Sequence, residues 1–180
     1  MATHPQKILP GRYQVVPRSI ILLIDGGKVL LQQASAKKKI YPGYFNGIGG
    51  HIERGEDILA GAIRELSEEA GVRCEDLHLA GTIMIDVHED TGILLFVFSG
   101  TKITGQLSSS DEGTLHWVEI DNLDELPVVE DIPELIAKIR ESSETGTLFF
   151  GKYVYDAQNQ RVTSWQKGNP PRAVQRTRAA

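Results

Sequence analysis

Between Gly50 and Val72 the chain concentrates acidic side chains: Glu53, Glu56, Asp57, Glu65, Glu68 and Glu69. Glu65, Glu68 and Glu69 stand at i, i+3 and i+4, so on a helix their carboxylates share one face. Like charges at that spacing repel, and something must offset the repulsion. Arg64 lies four residues before Glu68, close enough on a helix to pair with it and orient one carboxylate. One reading is a solvated charged face held by ordinary ion pairs. The other is a site for hard divalent cations, which prefer carboxylate oxygens and complete their shell with water and substrate phosphates. Two features favour the second: apolar residues already assign another helix face to the core, and the glutamates follow a glycine-rich loop at fixed spacing.

The elements that must position these groups can be read from periodicity. Ile58, Leu59, Ala62, Ile63 and Leu66 recur at three and four, which predicts an amphipathic helix over 57–70 with Gly71 as its C-terminal cap. Upstream, the apolar runs 19–24 and 28–33 flank Asp25-Gly26-Gly27 and predict a β-hairpin. Tyr41 to Gly50 is dense in glycine and aromatics and reads as a shaped loop. Further strands are predicted at 79–87, 92–101, 115–120 and 147–155, and a second helix at 132–141 with Pro133 in its first turn. Gly146 to Tyr153 falls one residue short of a phosphate-binding loop. Tyr153 stands where a Ser or Thr is required, and the aromatic centre suits a strand better.

The chain has 180 residues, 41% of them hydrophobic, enough for one compact domain with a sizeable core. With 24 acidic against 19 basic residues the formal charge is −5, which argues against stable binding to nucleic acid. An anionic partner then needs an intermediary such as a metal ion. Cys74 is the single cysteine, so no internal disulfide framework exists. There is neither a signal-peptide pattern nor a membrane-length apolar run, and a cytoplasmic protein is expected. The five histidines are dispersed and form no zinc pattern. The expected organisation is an N-terminal extension over 1–17, a single domain over 18–156, and a tail over 157–180 that is partly disordered, its Gly-Asn-Pro-Pro and arginines beginning at Gly168.

Gly50, five residues, Glu56, seven residues, then Arg64-Glu65-Leu66-Ser67-Glu68-Glu69-Ala70-Gly71-Val72 matches at every position the signature G-x5-E-x7-R-E-U-x-E-E-x-G-U. By this the chain resembles the Nudix (MutT-type) hydrolases. Chance would produce such a match in roughly one chain of this length in ten million. The resemblance implies an α/β/α sandwich with a mixed central sheet. It implies metal ligation by Glu65, Glu68, Glu69 and the carbonyl of Gly49, with Glu56 as an outer or second-metal ligand, and Mg²⁺, or Mn²⁺ in its place, as the cofactor. Arg64 is similar to the arginine that orients these glutamates, and Glu68 or Glu69 would be the general base.

The signature implies the bond broken, a diphosphate linked to some group X, and leaves X open. The closest likeness is to the oxidised-purine nucleoside triphosphatases, which implies hydrolysis of 8-oxo-dGTP or a related nucleotide to the monophosphate and pyrophosphate. Phe45-Asn46-Gly47-Ile48-Gly49-Gly50 is similar to that branch's substrate loop, in which the asparagine meets the base; alternatively Asn46 bonds its own backbone before glycine. Ser110-Asp111-Glu112, followed by Trp117, resembles the segment in which a glutamate reaches the metals, so Glu112 joins the catalytic set; Trp117 itself reads as strand packing. Glu130 and Asp131 resemble the acidic pair that reads the base, or are acids favoured at a helix N-terminus. Where that branch carries a tryptophan, this chain has Val128-Val129. No proline occurs from Gly71 through Leu126, whereas enzymes acting on ADP-ribose tend to have one there. The alternatives are a pyrophosphatase of another nucleoside diphosphate derivative such as ADP-ribose, and a non-catalytic nucleotide-binding module. The expected partner is the nucleotide, with no membrane, in a monomer or homodimer.

Overall fold

The computed structural model describes residues 11–169. In chain order its elements are β1 (Gln14–Asp25), β2 (Lys28–Ala34), β3 (Phe45–Asn46), α1 (Ile58–Ala70), β4 (Val72–Cys74), β5 (His78–Asp86), β6 (Thr91–Gly100), β7 (Ile103–Gly105), β8 (Gly113–Glu119), a 3-10 turn (Ile120–Glu125), α2 (Ile132–Thr145), β9 (Phe149–Tyr155) and β10 (Arg161–Lys167). The main sheet runs β10-β9-β5-β6-β1-β2-β3, with β8 paired along β2, while β4 and β7 form a small sheet of their own. It is mixed: β1 and β6 run parallel, as do β5 and β9, and the other pairings are antiparallel.

The predicted β1–β2 hairpin is present, with Leu23 opposite Leu30. Gly26 and Gly27 take φ of 54° and 90° in its turn, the left-handed pair that lets a two-residue connection follow the strand twist. Alternation along β1 then feeds two cores. Ile20 and Leu22 pack with Ile132, Leu135 and Ile139 of α2, whereas Ile21 and Leu23 pack with Ala62, Leu66 and Ala70 of α1. One helix on each face of a mixed sheet is the α/β/α sandwich.

The helix α1 starts where Asp57 Oδ1 accepts from the amides of Leu59 and Ala60, both at 2.9 Å. It ends at Gly71, whose amide donates to the Ser67 carbonyl. Its apolar stripe is narrower than predicted: Leu59 and Ile63 remain 42% and 44% exposed, and Ala62, Leu66 and Ala70 carry the packing. Gly146 to Tyr153 passes from the end of α2 into β9, a strand rather than a phosphate loop.

The main sheet runs past both expected limits of the domain, 18 and 156. β1 begins at Gln14, ahead of the expected start at Arg18, because its first residues pair with β6 from Thr91 onward. The sheet also continues beyond 156: β10 pairs with β9 from Arg161↔Tyr155 to Lys167↔Phe149. Trp165 packs edge-on against Phe149 and Tyr153, at 5.6 and 5.9 Å between ring centroids. An edge strand with one face to water has few apolar residues, which hid it in the sequence. The arginine-rich end from 170 onward lies outside the described residues. Among the described residues no helix is long and apolar enough to cross a membrane.

Candidate active site

The loop before α1 is fastened to β1. Ser19 donates its amide to the Gly50 carbonyl at 2.8 Å, and Ile21 to the Ile48 carbonyl at 2.7 Å. Gly49 has φ of 146°, and a Cβ there would stand 2.3 Å from the Ser19 carbonyl oxygen, so both conformation and space require glycine. A Cβ at Gly50 would meet Glu65 Oε1 at 2.5 Å. Gly50, expected among the substrate contacts, lets the loop lie directly against the Glu65 carboxylate.

Arg64 organises one side of the cluster. Nε and Nη2 donate to the two oxygens of Glu56 at 3.1 and 2.8 Å, and Nη1 donates to Glu65 at 3.0 Å and Glu68 at 3.1 Å. Nη2 also reaches the His51 carbonyl at 3.0 Å, so every N–H of the guanidinium is used. The Arg64 fork, with the Glu53 amide, holds the Glu56 carboxyl down at about 2, and the carboxylates in turn raise the pKa of Arg64, Glu56 foremost. The Arg64–Glu68 pair forms as its spacing predicts. Glu56, expected as an outer metal ligand, is engaged by both oxygens with Arg64.

Glu69 stands apart from that fork. It is 6% exposed and its Oε2 accepts from the Gly49 amide at 3.3 Å and from Gln32 Nε2 at 3.4 Å. Burial pushes its carboxyl up to about 8, helped by the carboxylate of Glu112 beside it. Glu112 itself is held low, chiefly by the Lys38 ammonium that pairs with it and then by Glu69. The loop before β8 thus brings Glu112 back to the helix across more than forty positions of sequence.

These oxygens fit a hard divalent cation in chemical type, and the mutual proximity of Glu69 and Glu112 is the kind of repulsion a cation relieves. Among the described residues no three His, Cys, Asp or Glu side chains already converge on one point. Glu65 and Glu68 are turned to Arg64, so gathering them on an ion requires their carboxylates to rotate.

Beside the cluster lies a cavity of about 210 Å³, with Asn46, Asp131, Tyr153 and Arg161 among its polar walls and Ile20 and Leu95 among its apolar ones. A second cleft, lined by Lys38, Lys39, Gln32 and Glu69, adjoins it, and the two share Arg18, Tyr41, Asn46, Gly47 and Gly49. Asn46 Oδ1 accepts from the Gly47 amide at 2.8 Å, so it lines the cavity and also bonds its own backbone. Phe45, expected to contact substrate, is 7% exposed and packed in the α2-side core, edge-on to His116 at 5.4 Å. Its backbone bonds to Pro127 and Val129 fix the cavity wall instead. Glu130 and Asp131 both line the cavity, and burial raises the Asp131 carboxyl. Trp117 packs in the α1-side core, as expected. Sequence reasoning missed Arg18, Lys38, Tyr41, Tyr153 and Arg161. Lys38 had a signal in the lysine run 37–39 and Tyr41 in the glycine- and aromatic-rich loop that it opens; Arg18, Tyr153 and Arg161 are brought in by strand pairing.

An acidic helix, a glycine loop closed onto it and an adjoining pair of cavities on an α/β/α frame define a hydrolase of the MutT type. The chain belongs to the Nudix family: the NUDIX domain model matches residues 15–139. It is an enzyme: curated relatives that match it within that family are described as hydrolases. It is 32% identical over 106 residues to the oxidized purine nucleoside triphosphate hydrolase of Danio rerio, covering 58% of this chain and 67% of that one. The Mus musculus protein of the same description is 30% identical over 106 residues, with the same shares covered. Among solved structures, a MutT protein from Bacillus halodurans superposes with a TM-score of 0.67 at 24% identity, covering 85% of this chain and 97% of that one. Nudix hydrolases generally use divalent metal ions such as Mg²⁺.

Proposed function

We propose that the chain hydrolyses a nucleoside triphosphate to the monophosphate and pyrophosphate in a Mg²⁺-dependent reaction, and that an oxidised purine nucleotide such as 8-oxo-dGTP is its substrate. The observation that carries this reading is the junction of the two cavities. A heterocycle in the cavity bearing Asn46 and Asp131 leads its phosphate chain past Gly47 and Gly49 into the cleft over Glu69. The 32% identity to a hydrolase of oxidised purine nucleoside triphosphates supports the same choice.

Arg18, Lys38 and Lys39 offer positive charge to the polyphosphate along that cleft. Glu65, Glu68, Glu69, Glu112 and the Gly49 carbonyl would hold the cation, Mg²⁺ or Mn²⁺. When bound, that ion supplies charge neutralisation on the phosphates and a lowered pKa for the attacking water. Glu68 or Glu69 accepts the proton of that water; Glu69 is favoured because it alone of the two is free of Arg64. Arg64 keeps its bonds to Glu56 and to the His51 carbonyl while Glu65 and Glu68 turn to the ion.

Purified protein assayed with Mg²⁺ against 8-oxo-dGTP, dGTP, dATP and ADP-ribose tests the reading. The expected result is the highest kcat/KM for 8-oxo-dGTP, pyrophosphate as the product, and loss of turnover in chelator. ADP-ribose as the best substrate, or release of orthophosphate, overturns it.

A further inference from the structure

Three cationic side chains line the cleft over Glu69: Arg18, Lys38 and Lys39. Only Lys38 is engaged, its ammonium paired with Glu112 Oε2, while Arg18 and Lys39 enter no ion pair among the described residues. Lys38 belongs to the loop 35–44 between β2 and β3. That loop is closed at its base, where the Ala34 amide donates to the Tyr44 carbonyl at 2.9 Å and the Gly43 amide to the Ala34 carbonyl at 3.0 Å. It also touches the segment before β8, since the Ser35 amide donates to the Glu112 carbonyl at 2.8 Å. The backbone thus keeps Lys38 within reach of the Glu112 carboxylate, and one side chain belongs both to the cleft wall and to the acidic cluster.

Glu112 lies against Glu69, and two carboxylates side by side call for a positive charge. Without a metal ion Lys38 supplies it. A divalent cation on the same carboxylates supplies more, and the ammonium is then free for another anion. The side chains of Lys38 and Glu112 are 37% and 49% exposed, and a pair so exposed shifts an equilibrium by no more than about fivefold. Such a pair is readily exchanged. A lysine also ends in a compact charge with no fixed direction, which passes from one anion to another as a planar guanidinium fork does not. We propose that Lys38 is an internal counter-ion of Glu112 that the metal ion displaces and the phosphate chain of the substrate then takes up. The exchange couples the two binding events: the cation binds more tightly once phosphate has drawn off the ammonium, and phosphate more tightly once the cation has freed it, by the same factor in both directions. Lys38 is thereby a positioning residue acting through Glu112. This deepens the metal and polyphosphate reading of the cleft and rests on it, whatever base the nucleotide carries.

Binding of Mn²⁺ to the substrate-free protein, followed by the electron paramagnetic resonance of the free ion, is compared in wild type, Lys38→Met, Glu112→Gln and the double variant. Lys38→Met is expected to bind Mn²⁺ about threefold more tightly than wild type. The same substitution should make no difference once Glu112 is Gln, because the ammonium then has no carboxylate to contest. A gain of equal size in the Glu112→Gln background reports the general charge of the cleft, and unchanged or weaker binding in Lys38→Met reports no competition; either overturns the proposal. The second half is read by calorimetric titration with magnesium methylenediphosphonate, a phosphate-chain mimic that is not hydrolysed. Lys38→Met should bind it about threefold more weakly. A lysine that merely held the loop would move both affinities in the same direction, so equal or tighter binding of the mimic overturns the handover. If no triphosphate is hydrolysed, the functional reading falls and the two titrations still decide this one. A wild type that takes up no Mn²⁺, or no mimic, overturns it outright.

Discussion

Glu69 and Arg64 divide the acidic cluster between them, and each can be tested by a change that keeps its size. Glu69→Gln retains the contacts to the Gly49 amide and Gln32 in outline but removes a negative oxygen and a proton acceptor. Turnover is expected to fall by at least about a hundredfold, with the far-UV circular dichroism of wild type; a wild-type rate would remove Glu69 from the catalytic set. Arg64→Lys keeps the charge and loses the planar fork that serves Glu56, Glu65, Glu68 and the His51 carbonyl together. A lysine offers a point charge rather than five fixed donors. It should lower kcat by about tenfold or more while leaving the fold intact, as read by steady-state kinetics beside a thermal melt. The cluster was legible in the sequence because one helix carries it, and helical spacing alone decides which side chains share a face. Tyr153 and Arg161 were not, since they reach the cavity wall only once β9 and β10 have joined the sheet.

At the scale of elements, α1 is both a catalytic platform and a core element, and Leu66 sits between Glu65 and Ser67 with 1% exposure. Leu66→Ala should cost about 3 kcal/mol of stability, measured by denaturant unfolding, and should lower activity through the glutamates on the same turn. A cost below about 1 kcal/mol would mean that the helix is held mainly by its ends and by Arg64. Helices and long strands were readable from the pattern: Asp57, Gly71 and the hairpin glycines punctuate them where the physics of caps and turns requires. The short strands β3, β4 and β7 were not, because two or three residues carry no period and pair only by tertiary placement. Strand β10 escaped for a related reason. Its polar alternation matches an edge facing water, and the same composition suits a tail.

Across the whole molecule, acid stability should depend in part on a carboxylate outside the cluster. Asp76 accepts from the Thr101 and Lys102 amides at 2.9 and 2.8 Å, from the Thr101 hydroxyl at 2.8 Å and from the Cys74 thiol at 3.1 Å. Burial pushes its pKa up, but the Lys102 amide, the Cys74 thiol and Thr101 outweigh it and hold the carboxyl well below its ordinary range. A depressed folded pKa means that the stabilisation is complete above the unfolded value, near 4, and is lost as pH falls through the folded one. Asp76→Asn should therefore lower stability by about 2 kcal/mol at neutral pH and flatten the loss of stability below about pH 4. Denaturant unfolding across pH 2 to 7 checks this; an unchanged acid slope would assign the dependence to other carboxylates. The parallel pairing of β1 with β6, from Gln14↔Thr91 to Leu23↔Gly100, has a further consequence for a nascent chain. The apolar centre of β1 leaves the ribosome long before its partner is made, so the N-terminal hairpin must wait with a sticky flank uncovered. Synthesis paused between β2 and β6 would be the most aggregation-prone moment in the life of this protein.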